Sequence, residues 1–142
     1  MSYIRITNES FFDKDYNKTF SYQEKYKFFN VGDSLSTLVP MYKKLLQEVI
    51  GEKINETFQD YALSKSETKQ IQVIFDKKID ETLPDRETVK PYHRKLEWKG
   101  EVYDLNVSIP SPNNRRIWDY YKIVQICEEC LEQNKSMYLS IE

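Results

Sequence analysis

The sequence predicts an α+β fold: one domain spanning residues 1–142, with two or three helices packed on one face of a mostly antiparallel sheet. Three observations predict it. Period-two apolar alternation stands near the start, in the middle and at the end of the chain, at Ile4/Ile6, Leu105/Val107/Ile109 and Leu139/Ile141. Stripes with helical spacing lie between them, the longest from Asn113 onward. Only three Gly and five Pro are present, with no repeat, linker or low-complexity tract.

Taken in order, Ser2 to Thr7 alternates and is β-prone, so a first strand is expected, with Asn8-Glu9-Ser10 as its turn. Phe11 to Phe29 is rich in aromatics. Phe20, Tyr22, Tyr26 and Phe28 keep a period of two broken by Glu24, which fits a strand with one half-buried face, while Tyr22, Tyr26 and Phe29 equally suit a short helix. Val31-Gly32-Asp33-Ser34 reads as punctuation before a helix. Leu38, Met41, Tyr42, Leu45, Leu46 and Val49 make that helix's stripe. Pro40 fits its first turn, Ser36 or Thr37 its N-cap, and Gly51 its stop. A second helical piece is expected from Lys53 to Leu63, with Ile54, Phe58, Tyr61 and Ala62 inward.

Ser66 to Ile79 supports two periodicities, and the β-branched run Ile71-Gln72-Val73-Ile74 favours a strand. Asp80 to Pro91 reads as a polar connection. The clearest hairpin follows: Arg94 to Trp98, a Lys99-Gly100 turn, then Glu101 to Ile109. Last comes the long helix, whose wheel places Ile117, Tyr120, Tyr121, Val124, Cys127 and Leu131 on one face. Asn134 sits where a left-handed cap is expected, and Ser136 to Ile141 resumes a period of two. Trp118 and Ile126 fall away from the centre of that face, so the helix is either buried on two sides, which Ile123 and Cys130 favour, or offers an apolar spot to a partner.

Composition narrows the function classes. A hydrophobic fraction of 39% suffices for a core because two Trp, eleven Tyr and seven Phe each bring a large apolar surface. The formal net charge of −2 exerts no general pull toward nucleic acid or an anionic membrane. No run approaches the roughly 20 apolar residues of a bilayer span, and Met1 to Ile6 lacks the apolar segment of a signal peptide. Two cysteines do not make a disulfide framework, so a cytoplasmic location is expected. The wealth of Lys, Asn, Ile and Tyr points toward a bacterial or phage source.

Cys127-Glu128-Glu129-Cys130 has the spacing of a zinc or dithiol pair. Zinc needs four ligands, and His93 is the only imidazole in the chain. A redox cysteine favours a helix N-terminus, whereas this pair lies turns inside a helix between carboxylates. Two small semi-buried residues are the expected role. His93 has no nucleophile motif near it. Pro84-Asp85 followed by Glu97-Trp98-Lys99 resembles the bare pattern of the PD-(D/E)-x-K nucleases. That resemblance covers five residues and implies Asp85 and Glu97 as Mg²⁺ ligands, with Lys99 assisting the attacking water. Lys99 abuts the hairpin turn and Asp85 lies in a polar loop, so neither has the sheltered strand such a site needs.

Charge is uneven along the chain. Asp76, Asp80, Glu81, Asp85 and Glu87 crowd one segment, while Lys90, Arg94, Lys95 and Lys99 face only Glu97 in the next. With Arg115 and Arg116 the second segment has the composition of a nucleic-acid patch, and the aromatics of Phe11 to Phe29 lie among Lys14, Lys18, Lys25 and Lys27. Asp13, Asp15 and Glu24 dilute that second pattern. Assigning no catalytic residue, metal or cofactor leaves a protein-binding protein. The expected class is a small bacterial immunity protein, or a phage-encoded inhibitor, that neutralises a toxin or defence protein. Its expected interface is Trp118, the acids Asp76, Asp80, Glu81, Asp85 and Glu87, and the helix acids Glu128, Glu129 and Glu132. A Mg²⁺-dependent nuclease (Asp85, Glu97, Lys99) and a nucleic-acid-binding module are the alternatives.

Overall fold

A computed structural model describes residues 3–9, 28–32, 38–56, 61–87, 93–106 and 112–141. In these residues the chain is an α+β fold of three helices and two antiparallel sheets. Strands β1 (Tyr3–Thr7), β2 (Phe28–Gly32), β3 (Tyr61–Ala62) and β6 (Tyr138–Ile141) form one sheet in the order β2-β1-β6-β3. Strands β4 (His93–Trp98) and β5 (Glu101–Asn106) form a separate hairpin. The helices are α1 (Leu38–Ile50), α2 (Lys65–Thr82) and α3 (Pro112–Glu132).

The larger sheet is built on β1. Ile4 lies opposite Val31 and Ile141, and Ile6 opposite Phe29 and Leu139, so one pleat parity collects apolar side chains from three strands. Ile4, Ile6, Phe29, Val31 and Leu139 are all buried, while Arg5 points the other way. Helix α1 covers β1 and β2 with Val39, Tyr42, Leu46 and Ile50, and it stops where Gly51 takes φ +59°. Pro40 stands in its first turn as expected. Helix α3 touches β1 and β2 and packs along α2. Tyr42 lies among rings from β2, α2 and α3, its centroid 5.0 Å from Phe29, 6.0 Å from Phe75 and 6.1 Å from Tyr120.

Four expectations are corrected. Residues 66–79 form a helix, not a strand. A helix buries Ile71, Phe75 and Ile79 on one face and leaves Val73 and Lys77 in water, whereas a strand would bring Val73 and Lys77 onto the same face as the other three. Keeping the charged Lys77 out of the core outweighs the roughly 1 kcal/mol span of β-propensity. The start of α2 is also written into the sequence. Ser64 Oγ accepts from the Glu67 amide at 3.0 Å, and the Ser64 amide donates to Glu67 Oε1 at 2.9 Å, a reciprocal capping box. Asp80 and Glu81 therefore belong to the last turn of α2, not to a polar loop.

The piece expected to be helical from Lys53 to Leu63 ends early. A 3₁₀ segment, Gly51–Glu56, buries Ile54, but Tyr61–Ala62 pairs as a strand with β6 and leaves Ala62 exposed. Val31 and Gly32, read as punctuation, complete β2, because Val31 fills the site opposite Ile4. The hairpin does not join the larger sheet. Its face carrying Arg94, Leu96, Trp98, Tyr103 and Leu105 packs on the helices, with Leu96, Trp98 and Leu105 buried. The proposed caps Ser36 and Thr37, the aromatics from Phe11 to Tyr26, Phe58, and Val107 to Ile109 lie outside the described residues.

The long C-terminal helix matches its reading closely. Its buried set is Asn114, Ile117, Tyr120, Ile123, Val124, Ile126, Cys127 and Cys130, so it is enclosed on two sides. Asn134 adopts φ +52°, the Lys135 amide donates to the Cys130 carbonyl at 2.9 Å, and the chain turns into β6 through a Schellman-type cap.

Candidate functional site

The hairpin turn positions the most concentrated set of charged contacts. Lys99 and Gly100 take φ +51° and +79°, the two left-handed residues of a primed hairpin turn. That turn brings the tip down onto α2. Trp98 Nε1 donates to Asp80 Oδ1 at 2.9 Å. Lys99 Nζ reaches Asp80 Oδ2 at 2.7 Å and Asp76 Oδ1 at 3.2 Å. The Lys99 hydrogen bond, supported by that of Trp98, holds the Asp80 carboxyl below the ordinary range, and Asp80 in turn raises Lys99. These groups are largely in water, so they fix where the tip sits more than they stabilise the fold. Trp98 also meets the Tyr121 ring edge-on at 6.0 Å.

Beside this latch runs a groove of about 510 Å³. One wall is α2, with Lys69, Gln72, Val73 and Asp76. The second is α3, with Tyr121, Val124 and Glu128. The hairpin tip, Glu97 to Gly100, closes one end. Val73 is 56% exposed and is one of the two large hydrophobic side chains among the described residues that stand out in solvent. Such a groove, with Val73 exposed among polar and charged side chains of both signs, can take a few side chains of another macromolecule.

The expected interface residues divide. Asp76 and Glu128 line the groove, and Asp80 anchors the tip beside it. Glu81 pairs with Lys77 and Lys78 along its own helix. Asp85 is exposed in a 3₁₀ turn (Leu83–Asp85), and its carbonyl accepts from Asn113. Glu87 is tied through its backbone to the buried Asn114 side chain in both directions. Glu129, expected to be exposed, is half-buried and accepts from Asn8 at 2.8 Å, while Glu132 is exposed at the end of α3. Trp118 is an internal bracket: Arg94 lies 5.2 Å over its ring and Tyr121 meets it at 6.1 Å.

The nuclease-like residues are not assembled into one site. Glu97 and Lys99 line the groove and Asp85 does not, and the Lys99 ammonium is held by Asp76 and Asp80. Among the described residues no three His, Cys, Asp or Glu side chains are grouped to hold a metal ion. Cys127 and Cys130 are free, buried thiols; burial pushes Cys130 up to about 11 and Cys127 higher still. His93 opens β4, and its side chain is outside those described. In the basic segment Arg94 stacks on Trp118 and Lys99 is paired, while Lys90 lies outside the described residues. Arg116 pairs with Asp119 at 3.3 Å. No described helix is long and apolar enough to cross a membrane.

Sequence reasoning missed Val73, Tyr121, Val124 and Trp98 as neighbours. The signal was there: on a helical wheel Val73 falls off the Ile71/Phe75/Ile79 stripe, but α2 was read as a strand. No family model, curated protein or solved structure matches the chain.

Proposed function

We propose that this chain is a non-enzymatic binding protein, of the immunity-protein or phage-inhibitor kind, that neutralises a bacterial toxin or defence protein by direct contact in the cytoplasm. The groove between α2, α3 and the hairpin tip supports this reading. It offers the exposed Val73 among charged side chains of both signs, a surface that another protein can contact. The polar groups best suited to chemistry are already engaged: Lys99 with two carboxylates, and both thiols with the core. Steering by surface charge and burial of a few apolar side chains is what remains for this surface to offer.

The test is complex formation with the product of the adjacent gene. The two proteins are co-expressed, purified by size exclusion and titrated by calorimetry. A stable one-to-one complex that restores growth of cells carrying the toxin or defence gene is expected. Plasmid nicking by the wild type in Mg²⁺ or Mn²⁺, abolished in Glu97→Ala, would overturn the reading in favour of a nuclease.

A further inference from the structure

On α2, Lys69, Val73 and Asp76 follow at steps of four and three residues, and on α3 Tyr121, Val124 and Glu128 follow at three and four. Each set therefore shares one helix face, and the two faces form the sides of the groove. Its charges are unequal. Lys99 is shared by Asp76 and Asp80, which leaves that cluster net negative. Glu128 is exposed on the α3 wall and Glu97 on the hairpin at the end of the groove, and among the described residues neither is in an ion pair. Lys69, which donates to Gln72 at 3.4 Å, is the cation set against them.

We propose that the groove receives a basic, aliphatic segment of the partner protein, an assignment that rests on the protein-binding reading above. An aliphatic side chain seats on Val73 between Tyr121 and Val124, and Lys or Arg side chains on either side reach Glu97 and Glu128. The aliphatic contact supplies the affinity, because Val73 is exposed in the free protein and is covered on binding. The carboxylates set orientation and exclude acidic segments. A volume of about 510 Å³ holds a few side chains of an extended or helical segment.

Two synthetic peptides test this, one alternating Leu and Lys, the other alternating Leu and Glu. They are titrated into isotope-labelled wild type, Val73→Arg, and a Glu97→Lys/Glu128→Lys variant, with amide resonances as the readout. The Leu/Lys peptide is expected to move the resonances of Val73, Asp76, Glu97, Lys99 and Glu128. It should bind the wild type at least about tenfold more tightly than it binds Val73→Arg, and about tenfold more tightly than the Leu/Glu peptide binds the wild type. In the double variant that preference should shrink or reverse. Equal binding of the two peptides, shifts confined to another face, unchanged binding by Val73→Arg, or self-association of the free protein through Val73 would each overturn it. Val73 projects into solvent, so the Arg variant should keep the wild-type unfolding temperature. A Val73→Arg protein that binds its cognate toxin or defence protein as tightly as the wild type overturns the groove assignment while leaving the protein-binding reading standing. That broader reading fails separately, through metal-dependent nicking.

Discussion

Cys127 and Cys130 have the spacing of a metal or redox pair, but about four turns of preceding helix and a packed surround give them another role. Cys127 Sγ sits 3.7 Å from Met137 Sδ, and the Cys130 thiol donates to the Ser136 carbonyl at 3.8 Å. Burial raises both thiols, so the reactive thiolate is scarce at neutral pH. Neither cysteine should react with a thiol-specific reagent in the native protein, and both should react at once in denaturant, as counted by mass spectrometry. Asp119 makes a second residue-scale prediction. Burial raises its carboxyl above the ordinary range, against the pull of Arg116, and Tyr42 Oη donates to it at 3.4 Å. A carboxyl raised in the folded state favours folding most below its unfolded pKa, and that advantage is lost as pH rises through the folded value. Urea unfolding from pH 4 upward should show this loss in the wild type and not in Asp119→Asn. Parallel curves for the two proteins would refute it.

At the scale of elements, α2 teaches most. Its β-branched run pointed to a strand, and the decisive signals were the Ser64-x-x-Glu67 start and the helical spacing of Ile71, Ile74, Phe75 and Ile79, which mixes both strand parities on one face. Ser64→Ala should therefore lower stability by about 1 kcal/mol in chemical denaturation, because the Glu67 amide loses its acceptor while the backbone amide of residue 64 can still donate to Glu67. The hairpin makes the complementary case. Its turn was legible from Lys99-Gly100 and its strands from alternation, but its docking depends on Asp80, more than a dozen residues earlier. Long-range pairings of this kind leave no local pattern. Asp80→Ala should cost about 1 kcal/mol and shift Trp98 emission to longer wavelength, as the indole loses its acceptor. Because Asp80 is lowered in the folded state, the stability its carboxylate lends is present above the ordinary carboxylate range and should decline as pH falls through and below it. Unchanged emission in Asp80→Ala would show that the tip is held without the latch.

For the whole molecule, the class of fold was legible because the longest helix, its left-handed cap at Asn134 and the closing strand all carry strong local signals. The split into two sheets was not, since nothing in β4 or β5 specifies which layer the hairpin joins. The candidate site was legible in its acids Asp76 and Glu128, and hidden in Val73, which was assigned to the wrong period. A protein that works by occupancy acts in proportion to its own amount, whereas a catalyst acts many times over. The direct measurement of the proposed binding is a dose–response of the purified chain against the activity of its proposed target, the product of the adjacent gene, in EDTA, with both concentrations well above the dissociation constant. Inhibition that rises linearly and ends sharply at one chain per target is the predicted result. Complete inhibition at a small fraction of the target concentration, growing with incubation time, would contradict it.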